Sequence, residues 1–254
     1  MRSSNPVLSG RGFARINPQV FGQPQTFGQP QGDLGAPSTL ENRPSAAPMS
    51  IEDVVLKSAG LFGVLAVVGF FAWQIASPAL ALVGLVAGLV LALVNSFSQK
   101  VRPALVVAYA AAQGLALGTI SQVYESAYDG IVTQAIIATG CAFAGVLAAY
   151  STGKIRVTPK FTRILMGSLI GYLVFSLVTI FTGRPSGGIG TLISVGAVVL
   201  ASLFIVMDLD QIQKAVAAKV PHQESWRMAF GLMVTLVWLY LEVLRLISIL
   251  RGDD

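Results

Sequence analysis

Apolar residues in this chain come in long unbroken runs separated by short clusters of charge. No Asp, Glu, Lys or Arg occurs from residue 58 to residue 98, a stretch about twice the roughly 20 apolar residues that one bilayer crossing needs. It therefore predicts two helices, divided at Ser77-Pro78, because Pro78 disfavours helical geometry at Ser77 and suits the first turn of the next helix. Uncharged runs at 104–124, 130–153, 164–182 and 185–207 are each near the length of one crossing. A seventh, at 227–250, is apolar inside its ends except for Glu242 and Arg245. The expected fold is an all-α polytopic membrane bundle of seven transmembrane helices.

The first 49 residues break this pattern. They are rich in Pro, Gln, Gly, Ser and Asn, and Phe21-Gly22-Gln23-Pro24-Gln25 is nearly repeated at Phe27-Gly28-Gln29-Pro30-Gln31. Such a segment buries too little apolar surface to offset its ordering entropy, so residues 1–49 are read as a disordered cytoplasmic tail and 50–254 as the membrane domain. The tail has no apolar stretch with a cleavage site, so it is not expected to be a secretory signal. Ser50, Glu52 and Asp53 place a capping hydroxyl and two carboxylates at the positive end of the first helix.

Composition agrees with a membrane protein: 54% of residues are hydrophobic, 11% are charged, and the mean hydropathy is +0.71. A single cysteine, Cys141, excludes an internal disulfide framework, and a single histidine, His222, excludes a His-cluster metal site. The net charge of +5 invites a nucleic-acid reading. The basic residues, however, sit between apolar runs, where they orient the chain in the bilayer and need no nucleic-acid partner. Arg2, Arg11, Arg15, Arg43, Lys57, Lys100, Arg102, Lys154, Arg156, Lys160, Arg163, Lys214, Lys219 and Arg227 fall on one side of the predicted topology, against Arg184, Arg245 and Arg251 on the other. The expectation is an inner (plasma) membrane protein with its N-terminus cytoplasmic and its C-terminus outside. Gly84 with Gly88, Gly114 with Gly118, and Gly140 with Gly145 provide small surfaces for close helix approach. Cys141 is read as a small packing residue and His222 as a solvated loop residue.

Ionisable groups at membrane depth cost about 2.5–3.5 kcal/mol each on insertion scales, so the few present are candidates for chemistry. Asp208 and Asp210 close the sixth run; two positions apart on a helix, their side chains face different ways. Glu242 and Arg245, three apart, share a face and form an ion pair that lowers the cost of both. Gln113, in the third run, is read as an interhelical hydrogen bonder or polar lining.

The seven runs, the third reading Tyr109-Ala-Ala-Ala-Gln113-Gly114-Leu-Ala-Leu-Gly118, the sixth ending Met207-Asp208-Leu-Asp-Gln-Ile212, and the seventh reading Leu239-Tyr240-Leu241-Glu242 with Leu244-Arg245-Leu246, together resemble the Bax inhibitor family in its bacterial, YccA-like branch. The resemblance covers about residues 50–250. It implies a bundle around a central seventh helix and a calcium leak gated by protonation of aspartates on the last two helices. Relatives are also described as modulators of cell death, stress responses or membrane proteolysis. By resemblance, Asp208 takes the place of the sixth-helix aspartate. Its partner is Glu242 if Leu-Tyr-Leu-Glu is matched, and Thr235 if the C-terminal Leu-Arg-Leu is the anchor. Counted from Arg227, Glu242 lies roughly 22 Å along the helix and Thr235 roughly 12 Å, nearer the depth of Asp208.

These residues predict a slow, pH-sensitive cation leak rather than a pump, since no phosphate-cradling loop is present. Asp208, Asp210, Glu242 and Arg245 would line or gate the route. Asp208 and Glu242 would hold calcium transiently as cargo, because calcium favours ionised oxygen ligands, and no cofactor is required. A second class is a regulatory protein that binds a membrane-protein partner, with the tail as docking segment and without ion transport. A third, an intramembrane protease built on Ser186, is not expected: the one histidine lies across a hydrocarbon core of roughly 30 Å.

Overall fold

The computed structural model describes residues 47–252 apart from Gln99, Lys154, Arg156, Arg184 and Ser186. Seven helices follow one another: α1 (Ile51–Ile75), α2 (Pro78–Phe97), α3 (Pro103–Ala127), α4 (Ile131–Ser151), α5 (Pro159–Thr182), α6 (Gly187–Ala217) and α7 (Ser225–Gly252), the last preceded by a 3-10 turn at His222–Glu224. All seven are long and apolar enough to cross a membrane. No strand occurs among the described residues, and the chain is an all-α polytopic bundle. Of the expected tail, residues 1–49, positions 1–46 lie outside the described residues, as does Ser186, whereas Ala47 and Met49 are described and hydrogen-bond to the α6–α7 connection.

Helix boundaries follow local chemistry. Ser50 and Asp53 form a reciprocal capping box: the Ser50 N–H donates to Asp53 Oδ2 at 2.9 Å and the Asp53 N–H to Ser50 Oγ at 3.1 Å. α2, α3 and α5 each open on a proline, whose missing N–H costs nothing in the first turn. α4 starts after Gly130 at φ 74°, and both Glu125 oxygens cap it, accepting the Gly130 N–H at 2.7 Å and the Val132 N–H at 2.9 Å. α6 corrects the sequence reading: it does not end near Met207 but continues to Ala217. The apolar run ends there while the helix goes on as a polar one, with Asp210 paired to Lys214 one turn later at 2.5 Å.

α1 and α2 pack against α3 through glycine. A Cβ on Gly84 would lie 2.6 Å from Ala116 N, and one on Gly114 would lie 2.7 Å from the Leu65 carbonyl oxygen. A Cβ on Gly118 would run into the Gly69 backbone. These two glycine pairs therefore bring helix backbones close, as their spacing predicts. Gly140 and Gly145 do not: a Cβ on either meets nothing within 4 Å. Cys141 beside them is exposed and is not a packing residue.

α7 is enclosed by its neighbours. Its buried residues include Ala229, Phe230, Met233, Thr235, Val237, Leu239, Glu242 and Leu244, which cover most of its circumference. α2 buries only Gly84 and Gly88 among its residues and turns leucines and valines such as Val86 and Leu89 outward. Polar side chains on α7 thus point into the bundle, where they must find partners. On the face where α1 and α7 begin, the residues ahead of α1 pair with the α6–α7 connection. The Met49 N–H donates to the Val220 carbonyl and the His222 N–H to the Ala47 carbonyl, both at 2.9 Å. Lys100, Arg102 and Lys219 in connections, Lys214 near the end of α6 and Arg227 near the start of α7 lie on this same face, which Arg227 helps to join by donating to the Ser98 carbonyl at 3.2 Å.

Candidate functional site

Two polar sites lie along the interior of α7, one facing α6 and one facing α5. At the first, Asp208 of α6 accepts the Thr235 hydroxyl at 2.6 Å. Thr235 is 7% exposed, and its oxygen also lies 3.2 Å from the Gly231 carbonyl one turn back. Gly231 faces the same carboxylate, since a Cβ there would lie 3.9 Å from Asp208 Oδ1. Among the described residues, no Lys, Arg or His is in ion-pair range of Asp208. The two registers left open by the resemblance therefore separate in space: the residue on α7 opposite Asp208 is Thr235.

Glu242 occupies the second site and is 2% exposed. Arg245 donates to its Oε2 at 2.7 Å, Trp238 Nε1 donates to its Oε1 at 3.1 Å, and the Tyr172 hydroxyl of α5 donates to Oε1 as well. Arg245 also reaches the Tyr172 oxygen at 3.2 Å, closing the network. Tyr172 stacks obliquely on Trp238 with ring centroids 5.6 Å apart, and Trp238 meets Phe204 of α6 edge-on at 5.8 Å. The carboxylate is thus paired and its lone pairs are taken up, the condition under which a buried charge is tolerated.

The two sites are not joined. Thr235 and Glu242 are seven residues apart on α7, about 10 Å of rise. Ile205 and Leu239, both 0% exposed, belong to the apolar cluster that fills the region between α6 and α7. Asp210 turns to a different face of α6, toward Lys214. Gln113 lies against α2, where a Cβ on Gly88 would come within 2.8 Å of its Nε2. No group of three or more His, Cys, Asp or Glu side chains comes together among the described residues. Any cation at Asp208 would therefore be held by this single carboxylate, hydroxyls, carbonyls and water.

A third polar cluster was not anticipated. His222 Nε2 is 3.2 Å from Asp53 Oδ1 and 3.3 Å from Lys57 Nζ, and Lys57 also donates to the Ser225 hydroxyl. The lysine ammonium sits 5.4 Å from the Trp226 ring centroid. His222, 45% exposed in the connection as expected of a solvated loop residue, also tethers the starts of α1 and α7. Tyr172 and Trp238 were also missed. Trp238 stands four residues before Glu242, on the same helix face. Tyr172 is a polar-tipped aromatic within a long apolar run.

A family model described as Bax inhibitor 1 like matches residues 5–252. No curated protein matches the chain.

Proposed function

The chain belongs to the Bax inhibitor 1-like family, and we propose that this multi-pass membrane protein is a slow, pH-sensitive cation leak with calcium as its foremost cargo. The observation that carries this reading is the Asp208–Thr235 contact. It sets a carboxylate against a neutral hydroxyl, with no fixed positive charge beside it among the described residues. A carboxyl group so placed either takes a proton and is neutral or, when ionised, is balanced by a mobile cation, unlike Glu242, which has Arg245. The packed residues between the two sites support reading this arrangement as the closed form. Opening requires α6 and α7 to separate at Asp208, and proton occupancy of that carboxylate competes with cation binding. The basic residues on the face where α1 begins support reading that face as cytoplasmic under the positive-inside rule, with the C-terminus outside. No catalytic role is proposed for any residue.

Calcium entry into vesicles loaded with a fluorescent indicator tests this. Asp208→Asn should lower flux and Thr235→Val should raise it, because the first removes the cation ligand and the second removes the hydroxyl that holds the ligand closed. Equal flux in both variants and the parent, at matched protein density and across several pH values, refutes the assignment. A regulatory reading has its own support in the pairing of Ala47 and Met49 with the α6–α7 connection. A membrane-protein partner bound to the preceding segment would act through that contact.

A further inference from the structure

A cavity of about 590 Å³ opens among α1, α3, α4 and α7, away from both carboxylates. Its walls are almost entirely hydrocarbon and include Leu65, Leu117, Phe143 and Val237. The Ser121 and Tyr240 hydroxyls in the wall are 2.7 Å apart and satisfy each other. At the rim, Phe70 and Ile136 are 60% and 59% exposed, so the cavity is continuous with the surface that the apolar helices present to the bilayer. From Phe62 to Gln74 along α1 it extends over thirteen residues, about 18 Å of helix from first to last. Half of a hydrocarbon core is about 15 Å. The volume lies within the roughly 300–1,000 Å³ of ordinary small-ligand pockets.

These dimensions define an apolar slot one leaflet deep and open sideways to lipid. Trp73 and Gln74 mark its end at the membrane boundary, where amphipathic side chains meet headgroups. A peptide segment is a poor occupant, because non-helical backbone exposed to lipid leaves its polar groups unsatisfied. A helix from a second copy, about 10 Å across with its side chains, is too wide for a space of this volume. We propose that the slot is a binding site for one acyl chain of a bilayer phospholipid, with the headgroup at the Trp73–Gln74 end and the chain running toward Phe62. This proposal needs only the membrane fold and stands apart from the cation-leak reading.

The test uses the full chain in phosphatidylcholine vesicles containing a small fraction of phospholipid with a diazirine midway along one acyl chain. After photolysis, adducts are mapped by mass spectrometry of peptides. Adducts should concentrate on the slot walls, in segments 62–74 and 132–143, and carry the mass of intact phospholipid. Gly140→Leu projects a side chain into the slot from a position with free space. It should cut slot labelling at least about tenfold, equivalent to about 1.4 kcal/mol, and leave labelling of outward-facing Leu85 and Leu89 on α2 unchanged. Ala66→Leu fills the same slot from α1 and should do likewise, and unchanged α2 labelling shows that each variant is folded. Even labelling of the slot and of the α2 and α5 faces, an undiminished slot signal in both variants, or adducts with the mass of free fatty acid would each overturn the proposal.

Discussion

Removing Arg245 should harm this protein more than neutralising its partner. In Arg245→Met, Glu242 loses its ion-pair partner while its side chain is 3% exposed. An unpaired acid at membrane depth costs about 2.5–3.5 kcal/mol. Tyr172 and Trp238 still donate to it, recovering about 0.6 kcal/mol each by the average for such bonds in membranes, which leaves a loss of about 2 kcal/mol. Glu242→Gln keeps an acceptor for both donors, and Arg245, 23% exposed, can extend toward solvent, so that variant should lose only about 1 kcal/mol. The double variant should lose less than the sum by about 1 kcal/mol, since the second change removes a group that the first left stranded. Reversible unfolding in mixed micelles, followed by helical circular dichroism across a denaturing-detergent titration, measures all three. Losses that add within about 0.5 kcal/mol, or an Arg245→Met variant no worse than Glu242→Gln, would refute the reasoning.

Three further outcomes are expected. Gly118→Ala should destabilise the bundle by about 1–3 kcal/mol or prevent its assembly, because a Cβ there meets Gly69 backbone; Gly140→Ala, in open space, should be near neutral in the same titration. Asp53→Ala removes half of the capping box and the contact with His222, and should lower the unfolding midpoint in the same titration. Deleting residues 1–46 should leave calcium flux unchanged if the protein is a leak, whereas a docking function that relies on this segment would be lost.

Features set by neighbouring residues were legible from the sequence. The break at Ser77-Pro78, the Ser50–Asp53 box and the Glu242–Arg245 pair depend on positions within a few residues of one another. The first two glycine pairs were also legible, since helical spacing aligns them on one face. The same spacing misled at Gly140 and Gly145, because a small-residue face closes only if another helix arrives there, and none does. The end of α6 was misjudged because hydropathy marks where the apolar span stops, while backbone hydrogen bonding continues through the Asp210–Lys214 turn. Contacts between distant residues left no local trace. Thr235 stands 27 positions from Asp208, Tyr172 stands 70 from Glu242, and His222 stands 169 from Asp53. Resemblance narrowed the partner of Asp208 to two residues, and helix packing separated them.

The pairing of residues 47–49 with the α6–α7 connection has a mechanical corollary. It rests on two amide-to-carbonyl contacts, and it lies upstream of the first crossing in the path of any force. A tug on the chain ahead of Ala47 therefore arrives at the link between the two helices that carry Asp208 and Thr235 before it strains α1. Whatever grips that leading segment holds a handle on the connection between the two helices that carry the carboxylate and its hydroxyl.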